Sequence, residues 1–263
     1  MSNSSLAVYK KISPNRTSPR NHVIDTISIH CVVGQLSVET LGNVFASTSA
    51  GCSANYGIGA DGRIGMYVEE KDRSWCSSSR ENDNRAITIE CASDTTSPYA
   101  VNDKVYEALI NLLVDVCQRN GIKSLKWQGK KDLIGQVDKQ NMTVHRWFAA
   151  KACPGDYLYN LHGQIAKQVN ERLSGGKTQA KDSESAGEKV LYKVQTGAYS
   201  RRSNAEAQLK KVRKAGFDAC MVKIEGLYKI QVGAYSNKRN AEVQKKKLES
   251  AGFDAIITVE KSK

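Results

Sequence analysis

The chain has 263 residues, of which 40% are hydrophobic and 25% are charged, values typical of a globular protein that can bury a core. No stretch approaches the roughly 18 apolar residues that cross a bilayer, which excludes a membrane-spanning segment. The formal net charge of +12 is unusual and indicates a polyanionic partner, such as nucleic acid or an anionic surface.

The N-terminal segment, residues 1–22, is polar and has no apolar stretch of the kind found in secretory signals, so we expect synthesis in the cytoplasm. The seven cysteines show no framework spacing, which favours reduced thiols, core packing or metal binding over disulfides. Five of them are interpreted as small buried hydrophobic residues: Cys31, Cys52, Cys76, Cys91 and Cys117.

The first part of the chain alternates strand patterns with helix patterns. Strands are predicted over residues 25–34 and 85–92. Two strand-like runs within residues 57–70 flank a turn at Asp61-Gly62, which indicates a hairpin. Together these patterns predict a mixed α/β fold in which a sheet is flanked by helices.

The clearest helix pattern begins near Asn102, which can cap it, and ends at Gly121. Its apolar stripe consists of Val105, Leu109, Leu112, Leu113 and Val116. A further short strand is predicted over residues 141–145.

Three of the predicted strands end in a side chain that can titrate or bind a metal, namely His30, Glu90 and His145. A catalytic zinc ion takes three protein ligands from His, Cys and carboxylate groups and leaves a fourth position for water. His30, His145 and Cys153 could supply that set. Glu90 could then take a proton from the water, and Lys151 could stabilise the oxyanion of an amide hydrolysis.

A structural interpretation remains open for each of these residues, since a histidine at a strand end is more often structural or solvated. The other two histidines, His22 and His162, lie outside the constellation. We expect His162, which follows a helix-like segment, to be exposed.

Residues 20–173 resemble the type-2 N-acetylmuramoyl-L-alanine amidase family, which is related to phage amidases and to peptidoglycan recognition proteins. The resemblance rests on the segments TISIHCVVG, SANYGIGADGRIGMYVEE, SWCSSS, NDNRAITIECAS and TVHRWFAAKACPGDYL. It implies that His30, His145 and Cys153 bind Zn²⁺. It also implies that Glu90 is the general base and that Lys151 stabilises the oxyanion.

Two positions depart from the family pattern. Asn55 replaces a histidine that many relatives have in a Ser-Ala-His-Tyr run, and Trp75-Cys76 replaces a Trp-His pair. Neither position binds the metal in the family, so the resemblance leaves the chemistry unchanged. Asn55, Tyr56 and Trp75 are the substrate contacts that the resemblance suggests.

Residues 174–188 have the composition of a flexible linker, which predicts a catalytic domain over residues 1–173 and a second domain over residues 189–263. The second domain contains 17 Lys and Arg against 7 Asp and Glu, a net charge of +10 out of +12. It also consists of two similar halves that align 36 residues apart.

The pattern of each half of the second domain predicts a strand, a helix and a second strand. The two halves together predict a βαββαβ domain with its helices on one side of the sheet. Asn204 and Asn240 are the predicted helix N-caps, and Gly216 and Gly252 are the predicted helix ends.

The second domain resembles a SPOR domain, a small module that binds glycan strands stripped of their stem peptides. The segments VQTGAYS and IQVGAYS, each followed by NAE and AGFDA, carry this resemblance. It suggests four glycan contacts: Gln195, Tyr199, Gln231 and Tyr235. Packing of the tyrosines in the core is an equally open interpretation, and RNA binding by a basic βαββαβ sheet is a second one.

The sequence therefore predicts an endolysin that cleaves the amide between N-acetylmuramic acid and L-alanine and is held on a Gram-positive wall by its basic tail. Release through a holin or at host lysis is expected, without membrane insertion or a nucleic-acid partner. A bacterial autolysin with the same chemistry, a non-catalytic peptidoglycan-recognition protein and a nucleic-acid-binding protein are the alternatives.

Overall fold

The computed structural model describes residues 2–175, 189–235 and 238–262. The chain divides into two compact units, Met1–Gln179 and Ala180–Lys263. Most of the predicted linker, residues 174–188, lies outside the described residues. Within the part of the chain that is described, no helix has both the length and the apolar character needed to cross a membrane.

The first unit is built on a mixed sheet of six strands in the order β1-β5-β4-β7-β3-β8, with β2 and β6 forming a separate pair. The strands are β1 (Ala7–Lys10), β2 (Arg16–Thr17), β3 (Thr26–Cys31), β4 (Tyr56–Ile58), β5 (Ile64–Met66), β6 (Arg73–Ser74), β7 (Ala86–Cys91) and β8 (Met142–Thr143). The helices are α1 (Val38–Val44), α2 (Arg80–Arg85), α3 (Asp103–Arg119) and α4 (Gly155–Leu173).

Strands β3 and β7 form the centre of this sheet. They run parallel in register, and every residue of β3 is buried. Continuous burial is expected of parallel strands that are covered on both faces. These two strands and the β4–β5 hairpin confirm the predicted strand pattern.

Helix α3 confirms the predicted helix and its caps. The Asn102 side chain accepts a hydrogen bond from the backbone N–H of Val105, and Gly121 adopts the left-handed conformation with φ 69°. All five residues of the predicted apolar stripe are buried.

The last predicted strand of this unit is shorter than expected. Strand β8 ends at Thr143, and His145 begins a 3-10 turn that extends to Trp147. His145 therefore lies two residues beyond the end of β8 and is not the last residue of a strand.

The second unit has a four-stranded antiparallel sheet in the order β10-β11-β9-β12. Its elements are β9 (Lys189–Tyr199), α5 (Arg202–Lys214), β10 (Cys220–Ile224), β11 (Leu227–Tyr235), α6 (Lys238–Ser250) and β12 (Ile256–Ser262). Buried residues of both helices and of the sheet form one apolar cluster, so the predicted βαββαβ arrangement is confirmed.

The predicted N-caps of the second unit are wrong. Helix α5 begins at Arg202 and α6 at Lys238, which places Asn204 and Asn240 inside the first turn of each helix. The predicted helix ends are right, because Gly216 and Gly252 follow the helices with φ 88° and 81°. Glycine adopts this left-handed conformation without steric cost.

Candidate active site

The two central strands bring His30 and Glu90 together. They are direct partners in the parallel β3–β7 ladder, so both side chains emerge at the carboxyl ends of their strands. His30 is fully buried, and its Nδ1 atom lies 4.0 Å from Oε1 of Glu90.

His145 and Cys153 complete a cluster with His30. The imidazole rings of the two histidines are 5.2 Å apart, and one ligand atom from each of the three residues lies within 4.8 Å of the others. Sγ of Cys153 is 3.4 Å from Nδ1 of His30. Tetrahedral zinc with bonds of about 2.0 Å to nitrogen and 2.3 Å to sulfur would place these atoms about 3.5 Å apart, so this pair fits a zinc ion.

The environment keeps both histidines neutral, which is the form that binds a metal. Burial, together with the neighbouring His145 and His162, lowers the pKa of His30 to about 3. Burial and the charge of Lys151 lower the pKa of His145. A hydrogen bond with Cys31, and burial, raise the pKa of the Cys153 thiol, so a bound metal would have to displace its proton.

Glu90 has the environment of a general base. Burial raises its pKa to about 7, and a hydrogen bond from the Cys76 thiol opposes part of that rise. Its Oε2 atom is buried without a hydrogen-bond partner among the described residues. A carboxylate with a pKa near neutrality both accepts and returns a proton efficiently at physiological pH.

A second group of metal-capable residues overlaps the first. His30, Cys76 and Glu90 also bring their ligand atoms within 4.8 Å of one another. Cys76 was predicted to be an ordinary core residue. The structure places it 3.8 Å from Oε1 of Glu90, where its thiol is a hydrogen-bond donor.

A short loop, residues 75–79, contacts the site through Ser78, a residue to which the sequence analysis gave no role. The buried carboxylate of Asp83 accepts hydrogen bonds from the backbone N–H groups of Cys76 and Ser77, at 2.9 and 3.1 Å. This fixes the loop so that Oγ of Ser78 lies 3.0 Å from Nε2 of His145. The bond between Ser78 and His145 connects residues 67 positions apart, so no local pattern indicates it.

Lys151 is exposed on the segment between the His145 turn and Cys153. Its charge acts on His145, which places the ammonium group close enough to influence the cluster. Its role at an oxyanion remains a prediction.

Two of the three predicted substrate contacts are corrected by the structure. Asn55 and Tyr56 are completely buried. The Asn55 amide bonds to backbone groups of Val68 and Thr88, and the Tyr56 hydroxyl donates to Glu70 at 2.7 Å. With no accessible surface, neither side chain can touch a substrate. Trp75 is 36% exposed, and its role stays a prediction.

The expectation that His162 is exposed was wrong. His162 is buried in α4, where its Nδ1–H donates to the carbonyl of Leu158 at 2.7 Å. The backbone N–H of Cys31 lies 3.4 Å from Sγ of Cys153. Strand β3 ends at Cys31, and Cys153 lies across that end.

In the second unit, the predicted glutamines lie side by side. Gln195 and Gln231 are partners in the β9–β11 ladder. Gln195 is almost completely buried, and both amide oxygens are buried without a hydrogen-bond partner among the described residues. Tyr199 and Tyr235 pack against the apolar cluster, each with its ring over a glycine two residues earlier. The tyrosines therefore contribute to packing, and their contact with glycan stays a prediction.

Comparison with known proteins identifies both units. Residues 20–156, more than half of the chain, match the family model described as N-acetylmuramoyl-L-alanine amidase. The chain belongs to this family. Residues 166–223 and 224–263 of the amidase match the SPOR domain model. Both resemblances seen in the sequence are confirmed.

Solved structures similar to this amidase cover one unit each. The peptidoglycan binding domain of the B. subtilis cell wall lytic enzyme CwlC is 41% identical, with 30% of this chain and 98% of that chain covered and a TM-score of 0.26. AmpD, in a selenomethionine derivative, is 19% identical over 62% of this chain and 96% of that chain, with a TM-score of 0.45. The amidase LysC from Clostridium intestinale is 13% identical over 62% and 96%, with a TM-score of 0.39. No curated protein matches the chain.

The amidase thus has a catalytic domain followed by a domain of the wall-associated SPOR type. Membership of the amidase family favours a peptidoglycan hydrolase over a non-catalytic recognition protein. The SPOR match favours peptidoglycan over RNA as the ligand of the tail.

Proposed function

We propose that this amidase is a zinc-dependent endolysin that cleaves the bond between the lactyl group of N-acetylmuramic acid and L-alanine. The observation that carries the proposal is the cluster of His30, His145 and Cys153, in which the sulfur–nitrogen distance of 3.4 Å fits tetrahedral zinc, beside Glu90. A zinc ion held there would supply Lewis acidity, which polarises a carbonyl group and lowers the pKa of water.

The side chains of this chain account for the proton transfers of the reaction. Glu90 takes a proton from the attacking water, whose oxygen adds to the lactyl carbonyl carbon. The ammonium group of Lys151 stabilises the negative charge on the carbonyl oxygen. Glu90 then delivers its proton to the nitrogen of L-alanine as the C–N bond breaks. The resulting carboxylic acid gives its remaining proton to the amine, so the products are a lactyl carboxylate and the ammonium group of L-alanine.

The tail is proposed to hold the enzyme on denuded glycan through Gln195 and Gln231. Gln195 is 2% exposed and both unpartnered amide oxygens are buried, so hydroxyl or acetamido N–H groups of a glycan could satisfy them only after the side chains rotate outward. The net charge of +10 on residues 189–263 would add attraction to the anionic polymers of a Gram-positive wall. Because denuded glycan is the product of the amidase, this preference would retain the enzyme where cleavage has begun.

Gln195→Ala combined with Gln231→Ala, in the full chain, tests this wall-binding proposal. Sedimentation with sacculi that have been stripped by an amidase should show weaker binding than for the unaltered chain. Equal binding of the unaltered chain to intact and stripped sacculi would contradict the preference for denuded glycan.

The catalytic proposal is tested on purified Gram-positive cell walls. Release of free amino groups with new L-alanine N-termini, without new reducing sugars, is expected. Chelation should abolish the release, and added zinc should restore it. No release from several such walls by folded, zinc-loaded protein would contradict the proposal.

An autolysin of the producing bacterium would perform the same chemistry. A holin encoded beside the gene would support the endolysin role and release through a holin. Neighbouring genes of sporulation would support the autolysin instead.

A further inference from the structure

The zinc-facing nitrogen of His30 is determined by a hydrogen bond on the opposite side of the ring. Oγ of Ser28 lies 3.0 Å from Nε2 of His30. Ser28 precedes His30 by two residues on β3, so both side chains lie on the same face of the strand. Ser28 is fully buried, and its hydroxyl donates to the carbonyl of Thr143 on β8 at 3.4 Å.

This arrangement selects one tautomer of His30. The hydroxyl hydrogen of Ser28 is used by Thr143, so the hydroxyl oxygen must accept from the imidazole. Nε2 of His30 therefore carries the hydrogen, and Nδ1 keeps its lone pair. Nδ1 is also the atom that lies 3.4 Å from Sγ of Cys153.

His145 is held in a parallel way by Ser78, whose Oγ lies 3.0 Å from its Nε2 atom. Ser78 adopts φ 64°, a left-handed conformation that is sterically unfavourable for a residue other than glycine. The bonds from Cys76 and Ser77 to Asp83 hold the loop in this conformation. Strained residues of this kind persist where their surroundings fix them, and they concentrate at functional sites.

We infer that Ser28 and Ser78 are positioning residues of the metal centre: each occupies Nε2 of one histidine and thereby presents Nδ1 to the ion. The inference rests on the proposed zinc function. Groups that hold the distal nitrogen of a ligating histidine fix its orientation and tautomer, and their loss usually weakens metal affinity 10- to 100-fold.

Ser28→Ala and Ser78→Gly test the inference by complementary means. Ser28→Ala removes the hydroxyl from a rigid strand, and Ser28→Thr returns it with a residue that strands favour. Ser78→Gly removes the hydroxyl while keeping the loop, since glycine adopts φ 64° freely. Ser13→Ala is the matched control, because Ser13 is equally buried and its hydroxyl donates to the Phe45 carbonyl.

The first readout is the zinc dissociation constant of the full chain, measured by competition with a chromophoric chelator. We expect Ser28→Ala and Ser78→Gly to weaken zinc binding about 10- to 100-fold, with Ser28→Thr and Ser13→Ala close to the unaltered chain. The second readout is the ¹⁵N spectrum of the histidines in the zinc-free protein. It should show His30 protonated on Nε2, and this signature should diminish in Ser28→Ala.

The outcomes separate the inference from the proposed function. If the unaltered chain binds zinc and both hydroxyl-free variants bind it equally well, the inference is overturned and the proposed function stands. If the unaltered chain does not bind zinc, both are overturned. Should Ser28→Ala fail to fold, Ser78→Gly still decides the question, since its thermal stability should match or exceed that of the unaltered chain.

Discussion

The two units of this amidase differ in the residues that form their cores. In the first unit, fully buried parallel strands carry His30 and Glu90 to a desolvated edge of the sheet. In the second, the apolar cluster contains nine buried residues, four of which are alanines. Catalysis requires ionisable groups with altered pKa values on a rigid frame, whereas binding a long polymer requires an exposed surface on a minimal core.

The net charge and the histidines are also distributed unequally between the two units. Residues 189–263 carry +10 of the net +12, and all four histidines of the chain precede residue 163. The first unit therefore contains the chemistry that responds to pH. The second unit carries most of the net positive charge, and the attraction of that charge to a polyanion weakens as the salt concentration rises.

Removal of the general base should have the largest effect and should be confined to the first unit. Glu90→Gln keeps the size of the side chain but cannot accept a proton, so we expect amide cleavage to fall about 10²- to 10⁴-fold. Amino-group release from cell walls measures this. Wall binding by the same variant serves as the control and should be unchanged. Cleavage at half the normal rate would contradict the role of Glu90.

A buried ion pair in the first unit should cost far more to break than an exposed pair in the second. Arg119 pairs with the fully buried Glu70 at 2.6 Å, so Arg119→Ala should lower the free energy of unfolding by about 3–5 kcal/mol. Arg202 forms an exposed pair with Glu206, and Arg202→Ala should cost about 0.5 kcal/mol or less. Denaturant titration compares the two variants, and equal losses would contradict this distinction.

The core of the second unit contains few large side chains, so shortening one of them should lower the stability of that unit. Leu248 is completely buried in its cluster, and Leu248→Ala should destabilise that unit by about 2–5 kcal/mol. Wall binding should weaken accordingly. Cleavage of a small soluble muropeptide should continue, because the residues of the metal cluster belong to the first unit. Loss of both activities would show that the units depend on each other.

Acid should destabilise the first unit selectively. Burial lowers the pKa of His162 from 6.5 to about 4, so the unfolded chain takes up this proton before the folded chain does. The associated stability is complete above pH 6.5 and is lost as the pH falls towards 4, up to roughly 3 kcal/mol. Unfolding measured from pH 7 to pH 4 should show a weaker pH dependence in His162→Gln. An identical dependence would contradict this assignment.

The periodic spacing of apolar residues explains why much of the fold was predictable from the sequence. The central strands and α3 repeat apolar residues with the periods of strand and helix, and the internal repeat identified the second unit. The structure also brings His145, Cys153 and Glu90 close to His30, as the family resemblance implied, while their roles stay predictions.

The remaining features depend on contacts between residues that are distant in sequence. Ser78 and His145 are 67 positions apart, and Asn55 bonds to Thr88 from 33 positions away. The resemblance therefore suggested Asn55 as a substrate contact, although the fold buries it. The burial of His162, by contrast, has a local signal, because its helical spacing from Leu158 and Ile165 places it on the buried face of α4. No local signal shows that α5 begins before Asn204.

The central claim is that the first unit holds one zinc ion with His30, His145 and Cys153. X-ray absorption at the zinc edge tests it directly, since three other thiols lie nearby at Cys31, Cys76 and Cys91. We predict one sulfur at about 2.3 Å and two nitrogens at about 2.0 Å, with the sulfur lost in Cys153→Ser. Two or more sulfur ligands, or a sulfur signal that persists in Cys153→Ser, would contradict the account.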